Sequence, residues 1–194
     1  DTAIYNCKFD STFATFPQGG MMGLALHPDF MNSTSPKKFV YVGYVQKYDS
    51  VSVTTNGGHF FKTRIVRFTY DEGTNKLISP LTLCDTIPGS NDHNSGRMII
   101  APVGSVNYLF YSVGDMGAGN YLNKQRNNRA QNPASYQGKI LRFRLEPDTN
   151  AGAYDKWIPD STGVHNNPFN AATQSAVYTT GVRNNQGFAY NPFT

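Results

Sequence analysis

The chain has 194 residues, 39% hydrophobic and 15% charged, with 17 Lys+Arg against 13 Asp+Glu for a formal net charge of +4. That length allows a sizeable core in one domain or part of one; an aromatic share of 13% excludes a disordered chain, and Cys7 and Cys84 alone are too few for a disulfide scaffold. No apolar run approaches the roughly 20 residues a bilayer span needs, no leader opens the chain, so that any export signal is removed or not included, and Lys37-Lys38 is the one adjacent basic pair, so neither a membrane span nor a nucleic-acid partner is expected.

Short apolar segments recur in a fixed order. A first type, a, is Gly23-Leu24-Ala25-Leu26-His27-Pro28, a strand ended by proline. Type b follows at Phe39–Val45 and type c at Arg64–Tyr70, where Ile65, Arg67 and Thr69 oppose Val66, Phe68 and Tyr70 as on a strand with two unlike faces. Type d is Leu81–Cys84. The order then repeats as Gly96–Pro102, Tyr108–Val113, Lys139–Leu145 and Ala176–Thr179, and a third a segment begins at Gly187 and ends at Pro192. Pro102 follows Pro28 by 74 positions and Pro192 follows Pro102 by 90. Four-stranded antiparallel units in series predict an all-β fold, a β-propeller, in preference to a sandwich, which implies no four-strand period. The expected blades are 23–84 and 96–179, with a third beginning at 187, all within a single partial propeller domain over 1–194. Two blades and one strand cannot close a ring, so the chain is expected to be a piece of a longer protein.

In a propeller every d-to-a connection reaches the same rim, and three can be read here. They are Phe16–Gly23, Ile87–Arg97 and Thr180–Gly187, each polar just before its inner strand. Repetition thus predicts that Gln18, Asp92, His93, Arg183 and Asn184 converge on one patch. The residue types suit acid–base work on a polar substrate: His93 as a base near neutral pH, Asp92 orienting it or holding it charged, Arg183 and Asn184 donating to an anionic or carbonyl-bearing partner. Asp115, between glycines at the end of the second b strand, either reaches that rim or is a turn residue. His27 reads as a structural strand-end turn, and His59 and His165 as solvated loop residues. Asn32-Ser33-Thr34 is a glycosylation sequon, a short pattern that often arises fortuitously. No HExxH, Cys-x-x-Cys, phosphate loop or EF-hand loop is present.

Gly23–Phe30 (GLALHPDF), Ser90–Arg97 (SNDHNSGR), Tyr111–Gly117 (YSVGDMG), Gly138–Leu145 (GKILRFRL) and Tyr178–Pro192 (YTTGVRNNQGFAYNP) together resemble the soluble, pyrroloquinoline quinone-dependent sugar dehydrogenases, the glucose/sorbosone dehydrogenase family. The resemblance implies a six-bladed propeller and an exported oxidoreductase that turns aldoses into lactones with pyrroloquinoline quinone (PQQ) and calcium. It implies that His93 matches the base for the anomeric hydroxyl and that Asp115 lies near it. Gln18 and Asp92 match residues lining the sugar and base site, and Arg183 and Asn184 match residues contacting the quinone. The family's main calcium ligands are expected downstream of Thr194. The loop after the second c strand departs from the family: Ile158-Pro159 and Asn167-Pro168-Phe169 are spread apart by an insertion. The rival reading is a non-catalytic propeller of the same family, an extracellular binding module; a propeller lactonase would need a metal-centred Glu/Asn/Asp set that these loops lack. The sugar, the electron acceptor, the oligomeric state and a Cys7–Cys84 disulfide stay open.

Overall fold

The computed structural model describes residues 6–7, 19–50, 59–90, 92–119, 127–149, 155–159, 165–170 and 174–193. The described residues form two antiparallel sheets and no α-helix. The first contains β1 (Asn6–Cys7), β2 (Gly20–Leu26), β3 (Phe39–Ser50), β4 (His59–Asp71) and β5 (Lys76–Pro88). The second contains β6 (Ser95–Val103), β7 (Val106–Val113), β8 (Lys139–Arg144) and β9 (Val177–Thr180). Each is a meander in chain order, β2-β3-β4-β5 and β6-β7-β8-β9, with β1 sharing the edge of β4 that β5 also occupies. The a-b-c-d order read from the sequence is the order of these eight long strands. The third a segment is different: among the described residues, 187–192 run without strand pairing.

Period-two alternation explains how the sheets meet. Leu109, Tyr111 and Val113 of β7 and Leu141 and Phe143 of β8 point one way, onto Tyr41, Ile65, Leu83 and Ile87 of the first sheet. Register stacks them in rows, Leu109 opposite Phe143 and Tyr111 opposite Leu141. The opposite faces mix apolar and charged side chains, with Arg142 opposite Phe110 and Arg144 opposite Tyr108 on the second sheet and Arg64 opposite Tyr44 on the first. Ala101, Tyr108 and Phe110 cluster with Ile99, Ile140 and Tyr178 on the second sheet; Val40, Val42 and Val66 are buried on the first, beside the exposed Leu24 and Leu26.

The inner strands touch. A Cβ on Gly23 would lie 2.4 Å from the Gly96 carbonyl oxygen, so the two a strands approach backbone to backbone where only glycine fits. Both carry a register shift there, between Met21 and Gly23 in β2 and between Ser95 and Met98 in β6. Such bulges bend a strand and re-aim the residues just before it.

Register settles the cysteines. Cys7 stands opposite His59 and Cys84 opposite Ile65 on the same edge of β4. Six residues of strand separate those positions by roughly 20 Å, whereas a disulfide needs Cα atoms within about 7 Å. Cys84 is a free thiol, and burial raises its pKa.

Candidate active site

The loop from Gly89 to the start of β6 is drawn tight by Asn94. Its Oδ1 accepts from the Ser90 amide at 2.8 Å and its Nδ2 donates to the Ser90 carbonyl at 2.7 Å. The closure leaves His93 and Ser95 in left-handed backbone, at φ 49° and 57°. Neither is a glycine, and strain of this kind collects at functional sites and costs on the order of 1–3 kcal/mol per residue.

Main-chain hydrogen bonds then tie four segments together. Gly114 N–H donates to Asn94 O (3.2 Å), Asp115 N–H to Arg183 O (2.8 Å), Gly138 N–H to Gly114 O (2.8 Å) and Val182 N–H to Gly138 O (3.0 Å). Gly114 is the crossing point: a Cβ there would sit 1.7 Å from the His93 carbonyl oxygen and 3.1 Å from that of Arg183.

Onto this frame the structure brings four charged side chains. His93 Nδ1 lies 2.8 Å from Asp115 Oδ1. A carboxylate only accepts, so Nδ1 carries a proton, and in the neutral ring Nε2 is then the nitrogen with the lone pair. Asp115 is 2% exposed; its Oδ1 also accepts from the Gly117 amide at 3.0 Å, and its Oδ2 faces Arg183 Nη1 at 3.4 Å. Asp92 Oδ1 is 3.7 Å from His93 Nε2, within ion-pair range and too far for a hydrogen bond. Arg183 is 63% exposed while it pairs with Asp115. Asn184 works from the same turn, its Oδ1 accepting from the Ser95 amide at 3.1 Å. Beside the cluster a cleft of about 270 Å³ is lined by Asp115, Asn128, Ala130, Gln131, Gly181, Val182 and Arg183.

Asp92, His93, Asp115, Arg183 and Asn184 therefore share one patch, while Gln18 lies outside the described residues. The two carboxylates divide the imidazole: Asp115, at the end of β7, holds the Nδ1 side at 2.8 Å and Asp92 faces Nε2 at 3.7 Å. The sequence reading did not single out Gln137, which is buried and donates from Nε2 to the Asp115 carbonyl at 2.6 Å. Its signal was available, two residues before the second c strand. His165 is not simply solvated, since its Nδ1 lies 3.1 Å from the Tyr108 hydroxyl. The His59 side chain lies outside the described residues. His27 is the expected strand-end residue, accepting from the Asp29 amide on Nδ1 at 3.0 Å.

Two four-stranded antiparallel meanders that bring a His–Asp pair together at their loop ends define an all-β protein built from repeated units. Comparison with known proteins makes the class specific. The sequence profile of the Glucose / Sorbosone dehydrogenase family matches residues 8–194, and the chain belongs to that family. It is 31% identical over 186 residues to quinoprotein glucose dehydrogenase B of Acinetobacter calcoaceticus, covering 90% of this chain and 34% of that protein. It is 30% identical over 201 residues to an uncharacterized protein of Synechocystis, covering 99% of this chain and 40% of that one. Among solved structures it resembles a glucose dehydrogenase (TM-score 0.64, 21% identity, 92% of this chain and 42% of that chain). It also resembles the soluble aldose sugar dehydrogenase of Escherichia coli in the apo-form (TM-score 0.58, 22% identity, 91% and 42%). These two likenesses speak to the fold. The chain thus spans 34–40% of the length of the two sequence relatives.

Proposed function

We propose that the whole protein is a PQQ-dependent dehydrogenase that oxidises the anomeric hydroxyl of an aldose to the lactone, in an exported propeller whose rim carries the chemistry. The observation that carries this reading is the His93–Asp115–Arg183 arrangement. Asp115 fixes the proton on Nδ1, so Nε2 is presented as the base. As Nε2 takes the hydroxyl proton, the imidazolium that forms is stabilised by the buried Asp115 carboxylate and by Asp92 at 3.7 Å. Removal of that proton pushes electron density toward the anomeric carbon and eases departure of its hydride.

Whether this chain fits the implied cofactors can be judged from its donor set. The exposed Arg183 guanidinium at the lip of the cleft suits one edge of a flat, anionic quinone, where it donates to carbonyl or carboxylate oxygens. The quinone, when bound, supplies the hydride acceptor. Among the described residues there is no group of three or more His, Cys, Asp or Glu that could hold a metal. The propeller reading is supported by the sheets themselves. Each contains a four-stranded antiparallel meander in chain order, the unit that a propeller repeats. Among the described residues no helix is long and apolar enough to cross a membrane.

The test is dye reduction by the complete protein with quinone, calcium and a panel of aldoses. Wild type is expected to turn over and His93→Ala to lose about 10²–10⁴-fold in kcat. Equal rates for the two proteins would remove the base from the reading.

A further inference from the structure

Lys139 opens β8 and is fully buried. Its three ammonium protons go to three main-chain carbonyls, those of Arg129 at 2.9 Å, Ala130 at 2.7 Å and Gln137 at 2.6 Å. Burial pulls its pKa down to about 8, with no acidic group opposing the shift. A buried cation matched only by carbonyl dipoles is costly, so where those carbonyls lie matters. Ala130 O also accepts from the Gly181 amide at 2.8 Å, in the turn that leads to Arg183. Ala130 walls the cleft beside Asp115 and packs so close to Gly138 that a Cβ there would meet its own Cβ at 2.5 Å. Gln137, whose carbonyl Lys139 holds, is the residue whose side chain anchors the Asp115 carbonyl.

We infer that Lys139 is a positioning residue for the His93–Asp115–Arg183 cluster, its ammonium clamping the 129–130 segment and Gln137 and, through them, the backbone that aims Asp115 and Arg183. The clamp acts by two routes. One runs from Gln137 to Asp115 and so to His93 Nδ1; the other runs from Ala130 through Gly181 to Arg183. An apolar side chain of similar length would fill the space but donate to none of the three carbonyls; those of Arg129 and Ala130 would keep only the Asn132 and Gly181 amides, and the clamp that joins them to Gln137 would be gone.

The kinetic side of this inference rests on the dehydrogenase reading; its structural side does not, and the experiment separates them. In the full-length protein, Lys139→Met is expected to lower kcat for aldose oxidation by about tenfold or more, with KM changed by less than about threefold, the pattern of a misaimed reacting group. In the same sample, the ring ¹⁵N signals of His93, assigned by their loss in His93→Ala, are expected to move from the single Nδ1–H tautomer toward a mixture, while those of His27 stay in place. Gln137→Met, which cuts only the link to Asp115, is expected to move the His93 signals in the same direction and carries the test if Lys139→Met does not fold. Unmoved His93 signals in a folded variant overturn the inference, as does an equal movement of His27 and His93. If the wild type shows no turnover with quinone and aldose, the dehydrogenase reading fails, and the ring signals still decide the role of Lys139.

Discussion

The two sheets are built to one plan and differ in what their loops do. Both inner strands carry a bulge beside a glycine, and three positions before that glycine the backbone is left-handed in both. The first sheet has Gly20 there, at φ 84°; the second has His93, at φ 49°. Glycine adopts that conformation freely, whereas histidine must be held in it, and the Asn94–Ser90 clasp and Asp115 do the holding. The b strands diverge similarly. β3 runs on to Ser50, while β7 stops at Val113 and turns at once into Gly114 and the buried Asp115. A shared scaffold thus brings the His93–Asp115 pair together where the second sheet departs from the first.

That contrast breaks most sharply at Asp115. In Asp115→Asn the amide oxygen keeps the Gly117 N–H only by turning its NH₂ toward the Arg183 guanidinium. The charge that stabilises the imidazolium is lost in either orientation. We expect kcat to fall about 10²–10⁴-fold with a folded protein, measured by dye reduction and circular dichroism. Activity within about threefold of wild type would mean that the loops of the second sheet are not where the reaction is run.

Glycine substitutions separate the rim from the core. At Gly114 an added methyl meets the His93 carbonyl at 1.7 Å, backbone that cannot step aside without moving the imidazole. At Gly43 it meets Tyr111 Cε2 at 2.5 Å, a side chain in the core between the sheets. Gly114→Ala is expected to destabilise by about 3 kcal/mol and Gly43→Ala by about 1–3 kcal/mol. Only the first should also cost activity at temperatures where the protein remains folded. Thermal unfolding with residual rate at 25 °C checks both, and equal activity loss in the two variants would erase the distinction.

How much of this could be read beforehand depends on the kind of information involved. The eight strands were legible because alternation and proline-ended segments are local, and Arg64–Tyr70 shows both faces in seven residues. The meeting of His93 with Arg183 was legible from repetition, which places d-to-a connections on one rim without knowing any distance. The partner of His93 was not, since Asp92 is its neighbour in sequence and Asp115 its neighbour only after β7 has returned alongside β6. Lys139 was hidden for a related reason: a lysine opening a strand reads as a solvated end, and its burial depends on carbonyls from a loop nine residues earlier. Leu24, Leu26, Phe110 and Tyr178 stood in the sequence as apolar residues, but only register shows which neighbours share a face with them.

The smallest effect we expect belongs to the first sheet and sets its sensitivity to acid. His27 is 6% exposed, edge-on to Phe39 with ring centroids 5.8 Å apart, and its Nδ1 accepts from the Asp29 amide, a bond that only the unprotonated nitrogen can make. Burial, then the Lys37 charge, lowers its pKa below the usual 6.5, against the opposing pull of Asp29 and Glu146. Above pH 6.5 the imidazole is neutral in folded and unfolded chains alike, and its contribution is fully present. As pH falls below 6.5 the unfolded chain binds a proton that the folded chain resists, so stability declines down to the lowered folded value. His27→Asn, whose Oδ1 can still accept from the Asp29 amide, should flatten the slope of melting temperature against pH between about 6.5 and 5. Its effect near pH 8 should be small. Parallel slopes for variant and wild type would show that this histidine does not govern acid stability and would leave the first sheet without a pH-sensitive element of its own.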